Sequence, residues 1–80
     1  MAIYYFDLRE GEELIVDDEG VELHDMQAVQ EEAARSMMGA ARDAVLSQPA
    51  GSLAQIFIEV RDDDGAVMRM GFSFDIIKKN

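Results

Sequence analysis

Polar and apolar residues alternate with a period of two in three segments of the chain, which predicts three β-strands. The segments are IYYFDLR at residues 3–9, AQIFIEVR at 54–61 and AVMRMGFSF at 66–74. Aromatic and β-branched side chains, which fit a pleated surface, are frequent in them. A shorter apolar segment, LIV at residues 14–16, follows a turn at Gly11 and is predicted to return beside the first strand.

The segment between residues 25 and 48 has the spacing of three and four that is typical of an amphipathic helix. Its apolar stripe consists of Met26, Val29, Ala33, Met37, Ala40 and Ala44. Asp25 is expected to cap the first turn, because its carboxylate can accept hydrogen bonds from free backbone amides. Pro49 is expected to end the helix, since proline cannot continue it. On the exposed side, the spacing of Glu31 and Arg35 predicts an ion pair.

The order of these segments predicts a single α+β domain over residues 1–80 with the element order β-β-α-β-β. We expect one four-stranded antiparallel sheet with the long helix packed on one face. Because the second and third strands are joined by a β-α-β crossover, placing the first strand between them gives the order 2-1-3-4. The DDDG segment is predicted to turn the second hairpin, with Asp64 and Gly65 at its centre. The side chains expected to meet the helix are Tyr4, Phe6, Leu8, Ile56, Ile58, Val60, Met68, Met70, Phe72 and Phe74.

Two apolar surfaces remain once this core is assigned, and each is a possible interface. A second line on the helix, rotated from the first by roughly 80–100°, consists of Ala34, Met38, Ala41 and Val45. A sheet that curls around the helix would bury this line, and otherwise Met38 faces outward. On the outer face of the sheet, the residues expected to lie near one another are Ile3, Tyr5, Phe57 and Val67. Neighbouring exposed apolar residues indicate burial, and the simplest partner is a second copy in a homodimer. We favour the sheet face, because the helix line is mostly alanine.

The composition excludes several classes of partner. Seventeen acidic side chains stand against seven basic ones, so the formal net charge is −10. Phosphate groups and anionic lipids would repel such a surface, so neither a nucleic acid nor a membrane is an expected partner. A basic protein would be attracted instead. No apolar run approaches the roughly 18 residues that span a bilayer, and the N-terminal segment does not resemble a secretory signal. A bacterial-type cytoplasm is therefore the expected location.

The chemistry that the sequence offers is sparse, and we predict no cofactor, no metal site and no catalytic residue. The chain has no cysteine, which excludes a disulfide framework and a cysteine-based zinc site. His24 is the only histidine and lies at the predicted helix entry. The acidic turn DDDG has consecutive aspartates and no later glutamate, unlike a calcium loop. DDEG is followed by Glu22, but so short a segment cannot wrap an ion. Weak calcium binding at either turn stays open. Asp7 and Glu59 could face each other across two strands, but nearby arginines favour a solvated charge lattice over acid–base chemistry.

Three segments of the chain are distinctive: the opening FDLREG, DEGVEL ahead of the alanine-rich helix, and IEVRDDDGAVMRMGFSF. With these segments the whole chain resembles a family of short alphaproteobacterial proteins described as a domain of unknown function. Members of that family often have His in place of Asp7 and Pro in place of Gly71. The resemblance implies a stand-alone bacterial domain and supplies no activity. We therefore predict a non-catalytic interaction or regulatory module that self-associates. The alternative is an acidic, antitoxin-like protein that binds a basic partner, with a small enzyme as a third possibility.

Overall fold

The computed structural model describes residues 2–49 and 53–79. Within these residues the chain forms five strands and one helix, so the α+β prediction is confirmed. The elements are β1 (Ala2–Glu10), β2 (Glu13–Ile15), β3 (Val21–Leu23), α1 (Met26–Ser47), β4 (Leu53–Asp62) and β5 (Gly65–Asp75).

The strands lie in the order β2-β1-β4-β5, and every neighbouring pair is antiparallel. This confirms the predicted order of the four strands. The count of four was wrong, because Val21–Leu23 forms a further strand that pairs with β1 from Ala2 to Tyr4. Three residues are too few to display a period of two. They become a strand because β1 presents backbone groups beside them.

The helix begins and ends where the sequence predicted. The Asp25 carboxylate accepts a hydrogen bond from the N–H of Ala28 at 2.8 Å and so satisfies one of the free amides of the first turn. At the other end, the N–H of Gln48 donates to the carbonyl of Ala44 at 3.1 Å, and Pro49 follows. Both ends are set by local chemistry, which explains why they could be read from the sequence.

The predicted ion pair between Glu31 and Arg35 was wrong. Arg35 binds Glu32 instead, with a distance of 3.0 Å between Nη2 and Oε1. Glu31 accepts a hydrogen bond from the side chain of Gln27 at 3.1 Å. Residues three and four apart are both neighbours on a helix surface, so spacing alone does not decide between them.

The core lies between α1 and the facing side of the sheet. Its buried members are Val29, Ala33, Met37, Ala44, Ile56, Ile58 and Val60. Two residues expected in the core are substantially exposed. Met26 is the first helical residue and lies before the part of α1 that meets the core. Phe72 lies on β5, whereas α1 packs mainly over β4, so its side chain is only partly covered.

The second hairpin turns one residue earlier than predicted. Asp62 pairs with Gly65, so Asp63 and Asp64 form the connection. The Asp62 carboxylate accepts a hydrogen bond from the N–H of Asp64 at 2.8 Å. Gly65 has a φ of 127°, which explains the glycine at this position.

Candidate functional site

The outer face of the sheet, opposite α1, interleaves aromatic and charged side chains. The paired positions of β1 and β4 are Tyr5–Arg61, Asp7–Glu59 and Arg9–Phe57. The row formed by Asp7 and Glu59 therefore separates Tyr5 from Phe57 by about 13 Å along the strands. Val67 is the extra residue of a β-bulge opposite Val60 and Arg61. The apolar cluster expected from Ile3, Tyr5, Phe57 and Val67 does not assemble, because alternation assigns a face but not a register.

Both aromatic rings of this face are covered by arginine. The Arg61 guanidinium lies 4.5 Å from the centroid of the Tyr5 ring, and that of Arg69 lies 3.8 Å from the centroid of Phe57. A Cβ atom at Gly71 would lie 2.8 Å from the Phe57 ring, so this glycine gives the ring room to cross β5. The arginines interact with the negative faces of the rings and cover them on this side of the sheet.

Asp17 connects three segments at one edge of the outer face. Its carboxylate accepts hydrogen bonds from the N–H groups of Phe6, Glu19 and Gly20 at 3.0, 3.0 and 3.3 Å. Burial by itself raises the pKa of Asp17, but these three donors and the charge of Arg61 outweigh it, and the pKa lies below its usual value. The Asp17 side chain therefore replaces a strand partner for β1 in the gap between β2 and β3.

Asp7 is held in the same network. Its carboxylate accepts hydrogen bonds from Arg61 Nε at 2.9 Å and from the N–H of Asp17 at 2.9 Å. Arg61 also donates through Nη2 to the Asp17 carbonyl at 2.9 Å, and the hydrogen bond with Asp7 raises the pKa of Arg61. Asp7 is only 7% exposed, so the expectation of a solvated lattice was wrong for this residue. Its two oxygens are occupied by protein donors.

Glu59 lies opposite Asp7, as the sequence suggested, and is paired with arginine. Arg9 Nε lies 3.0 Å from its carboxylate, and Arg69 Nε lies 3.6 Å away. The two carboxylates thus form separate ion pairs, Asp7 with Arg61 and Glu59 with Arg9 and Arg69. These cross-strand ion pairs favour the observed register of β1, β4 and β5.

The other candidate residues lie far from a common site. His24 is exposed, with Nε2 3.4 Å from the neighbouring Asp25 carboxylate. Across residues 2–49 and 53–79, no group of three His, Cys, Asp or Glu side chains is placed to hold a metal ion. In both acidic turns, aspartate oxygens accept hydrogen bonds from the backbone of their own turn.

The second line of α1 borders an apolar groove between the helix and β5. The groove has a volume of about 380 Å³ and is lined by Met37, Met38, Ala41, Arg42, Val45, Leu46 and Phe72. Met38 is 72% exposed and Leu46 is 78% exposed. Ala41 packs against the core, and Ala34 is exposed. The sheet does not curl far enough to cover this line, so Met38 faces outward.

The edge strand β5 runs beside this groove. It has 11 residues, and in the described part of the chain its only strand neighbour is β4. A strand in this position presents a row of free backbone N–H and C=O groups. An exposed apolar groove and an open strand edge therefore meet on one side of the molecule.

A family model described as Domain of unknown function (DUF6894) matches residues 3–73. This chain belongs to the DUF6894 family. The match covers every helix and strand except Ala2 of β1 and the last two residues of β5. The resemblance to a domain of unknown function is therefore confirmed. No curated protein and no solved structure matches the chain.

Among the described residues of this DUF6894 chain, no helix is long and apolar enough to cross a membrane. Sequence reasoning found Met38, Ala41 and Val45 but missed Leu46 and Phe72 on the same groove. Phe72 was assigned to the core because it alternates with Met70. Phe72 is exposed because β5 is an edge strand, and the alternation of residues along the chain does not distinguish an edge strand from a central one.

Proposed function

We propose that this protein is a non-catalytic interaction module that self-associates as a homodimer in the bacterial cytoplasm. The observation that carries the proposal is the apolar groove between α1 and β5. The cytoplasmic setting is supported only by the composition, since a chain without cysteine needs no oxidising compartment.

The exposed surface supports a partner of the same kind. The chain exposes 5674 Å², whereas a monomeric protein of its mass, 8.9 kDa, is expected to expose about 4,800 Å². The excess of about 900 Å² is close to the roughly 800 Å² that each partner contributes to a standard interface. A second copy that buried an area of this size would bring the exposed surface of each chain to the value expected for its mass.

The charge of the groove is compatible with such a contact. Two copies together carry a formal charge of −20, twice the −10 of one chain, and therefore repel each other at long range. The groove itself contains no acidic side chain among its lining residues, and its one charged member is Arg42. The repulsion is therefore distributed over distant parts of the surface and is screened by salt.

Sedimentation velocity at micromolar concentrations tests the proposal. We expect the unmodified chain to sediment as a dimer and Met38→Glu to raise the dissociation constant by about 10- to 100-fold, because an apolar side chain buried in the contact is replaced by a charge. The matched control is Met26→Glu, which changes another exposed methionine of α1 outside the groove. An unmodified chain that stays monomeric at high micromolar concentration at both low and high salt would refute self-association.

A second candidate function is binding to a basic protein. One end of the sheet carries an acidic surface formed by Glu22, Asp62, Asp63 and Asp64 around a shallow cavity. A basic partner bound there should be lost as salt rises, whereas the homodimer should persist. A pull-down that compares the unmodified chain with Asp63→Lys/Asp64→Lys separates the two functions. The variant should lose a basic partner but keep the homodimer, because these changes leave the groove untouched.

A further inference from the structure

The hydrogen-bonding direction along each strand can be followed from β1 to the open edge of β5. In antiparallel strands the N–H and C=O groups of successive residues point to opposite edges. The N–H of Phe6 donates to Asp17, which lies on the side of β1 away from β4. Tyr5, Asp7 and Arg9 therefore direct their backbone groups toward β4.

The same alternation passes through β4 to β5. Ile58 and Ile56 direct their backbone groups toward their partners Met70 and Phe72. It follows that the odd-numbered residues of β5 direct theirs to the free edge: Arg69, Gly71, Ser73 and Asp75. The β-bulge at Val67 lies before these residues and does not change which of them face the free edge.

We propose that β5 pairs antiparallel with the β5 strand of a second copy, with Phe72 on the two-fold axis. The contact joins the two sheets into one, in the order β2-β1-β4-β5-β5-β4-β1-β2. This inference rests on the proposed self-association and specifies the surface and the register through which it occurs.

Charge selects this register among those that a two-fold axis allows. With Phe72 on the axis, Arg69 lies directly opposite the partner's Asp75, and by symmetry the pair occurs twice. Gly71 then lies opposite the partner's Ser73, and the backbone groups of both residues point toward the other strand, where they can form hydrogen bonds. An axis at Arg69 would instead oppose two arginines, which is unfavourable across neighbouring strands. An axis at Gly71 would leave Arg69 opposite the partner's Ser73.

The apolar groove favours the same axis. Phe72 is the residue of β5 that lines the groove, together with Met38 and Val45 of α1. An axis through Phe72 brings the two grooves side by side on the helix face of the joined sheet. The residues of α1 that line the groove then face their counterparts, and the small side chain of Ala41 among them allows the two helices to approach closely.

A proline at Ser73 tests the edge contact without altering the groove. The N–H of Ser73 points away from β4, so Ser73→Pro removes a donor of the intermolecular pairing and leaves the β4–β5 ladder in place. We expect Ser73→Pro to raise the dissociation constant of the dimer by about tenfold or more. Ser73→Ala is the control and should sediment like the unmodified chain. Equal dimerisation by the two variants would overturn the edge contact.

Disulfide formation tests the register. The chain has no cysteine of its own. In Arg69→Cys/Asp75→Cys, each cysteine lies opposite its counterpart at a Cα separation of about 5.5 Å, which is within the range for a disulfide. Within one chain the two positions are about 20 Å apart, so any disulfide joins two copies. We expect mild oxidation to give a covalent dimer for the double variant and not for either single variant.

The comparison variant Val67→Cys/Asp75→Cys reports the register centred on Gly71, and its preferential cross-linking would refute the axis at Phe72. A chain that sediments as a dimer, loses the dimer in Met38→Glu and forms no cross-link in Arg69→Cys/Asp75→Cys would overturn this inference while leaving self-association intact. A monomeric unmodified chain would overturn both.

Discussion

At the scale of single residues, the most connected side chain is that of Asp17. It lies in a loop between two short strands, and its carboxylate binds the backbone of β1 as well as its own turn. Its carbonyl accepts from Arg61, which in turn holds the buried Asp7. One aspartate thus supplies the acceptor that an uninterrupted strand would have given to β1. We expect the outer face to depend on its charge.

The pKa of Asp17 gives a pH-dependent prediction. Because this pKa lies below its usual value of 3.8 in the folded chain, the ionised side chain stabilises the fold fully above that value. The stabilisation is lost as the pH falls through the lower, folded pKa. We expect Asp17→Asn to reduce the free energy of unfolding at neutral pH by about 1–2 kcal/mol. The difference from the unmodified chain should shrink below about pH 4.

Urea unfolding at neutral and acidic pH measures this difference. Asp18→Asn is the control, because Asp18 is an exposed neighbour in the same loop. A difference between Asp17→Asn and the unmodified chain that stays constant down to about pH 2 would contradict a stabilising role for the charge of Asp17.

At the scale of elements, α1 is delimited by local contacts and held by its buried stripe. The buried residues Val29, Ala33, Met37 and Ala44 recur at helical spacing and face the sheet. The alanines on this stripe keep the helix close to β4. The exposed line beside it follows from the same geometry, since a flat sheet can cover only one side of a helix.

The cap of α1 gives a prediction at this scale. We expect Asp25→Ala to lower the free energy of unfolding by about 0.5–2 kcal/mol, because the N–H of Ala28 loses its acceptor. Asp43→Ala changes an exposed aspartate of the same helix, which contacts the neighbouring Arg42 at 3.5 Å. Its effect should lie within about 0.5 kcal/mol of zero. Thermal unfolding followed by circular dichroism compares the two variants, and equal losses would count against the cap.

At the scale of the whole molecule, the chain is long and thin. Its principal extents are 52, 23 and 16 Å and its radius of gyration is 14.2 Å, whereas a compact chain of 80 residues is expected to have a radius of about 12 Å. The long hairpin of β4 and β5 and the helix of 22 residues account for this shape. An elongated chain whose long edge strand β5 is open on one side is well suited to lateral association.

Salt should strengthen the homodimer. Each copy carries a formal charge of −10, so long-range repulsion opposes association and is screened as the Debye length falls from about 10 Å to about 3 Å between about 0.1 M and 1 M salt. We expect the dissociation constant measured by sedimentation equilibrium to decrease over this range. Salt also screens the attraction between Arg69 and the partner's Asp75. That attraction comes from two ion pairs, whereas the repulsion acts between the net charges of two whole chains, so the loss of repulsion should dominate. A dissociation constant that increases with salt would instead indicate a contact dominated by attraction between charges.

The sequence by itself determined the features that depend on neighbouring residues. Asp25 and Pro49 delimit the helix through contacts within a few positions, and alternation assigns the faces of β1, β4 and β5. Even the order of the strands followed from the connections between them. The excess of acidic residues is a property of the composition and needs no structure.

Only the tertiary structure decided which residues meet across the strands. Alternation does not distinguish one register from another that is shifted by two residues, so the charged row between Tyr5 and Phe57 could not be foreseen. The pairing of β3 and the network of Asp17 depend on backbone groups that β1 leaves free. The exposure of Phe72 depends on β5 having one strand neighbour and on α1 lying over β4. These contacts join residues far apart in the chain, and their geometry is fixed only when the whole sheet is assembled.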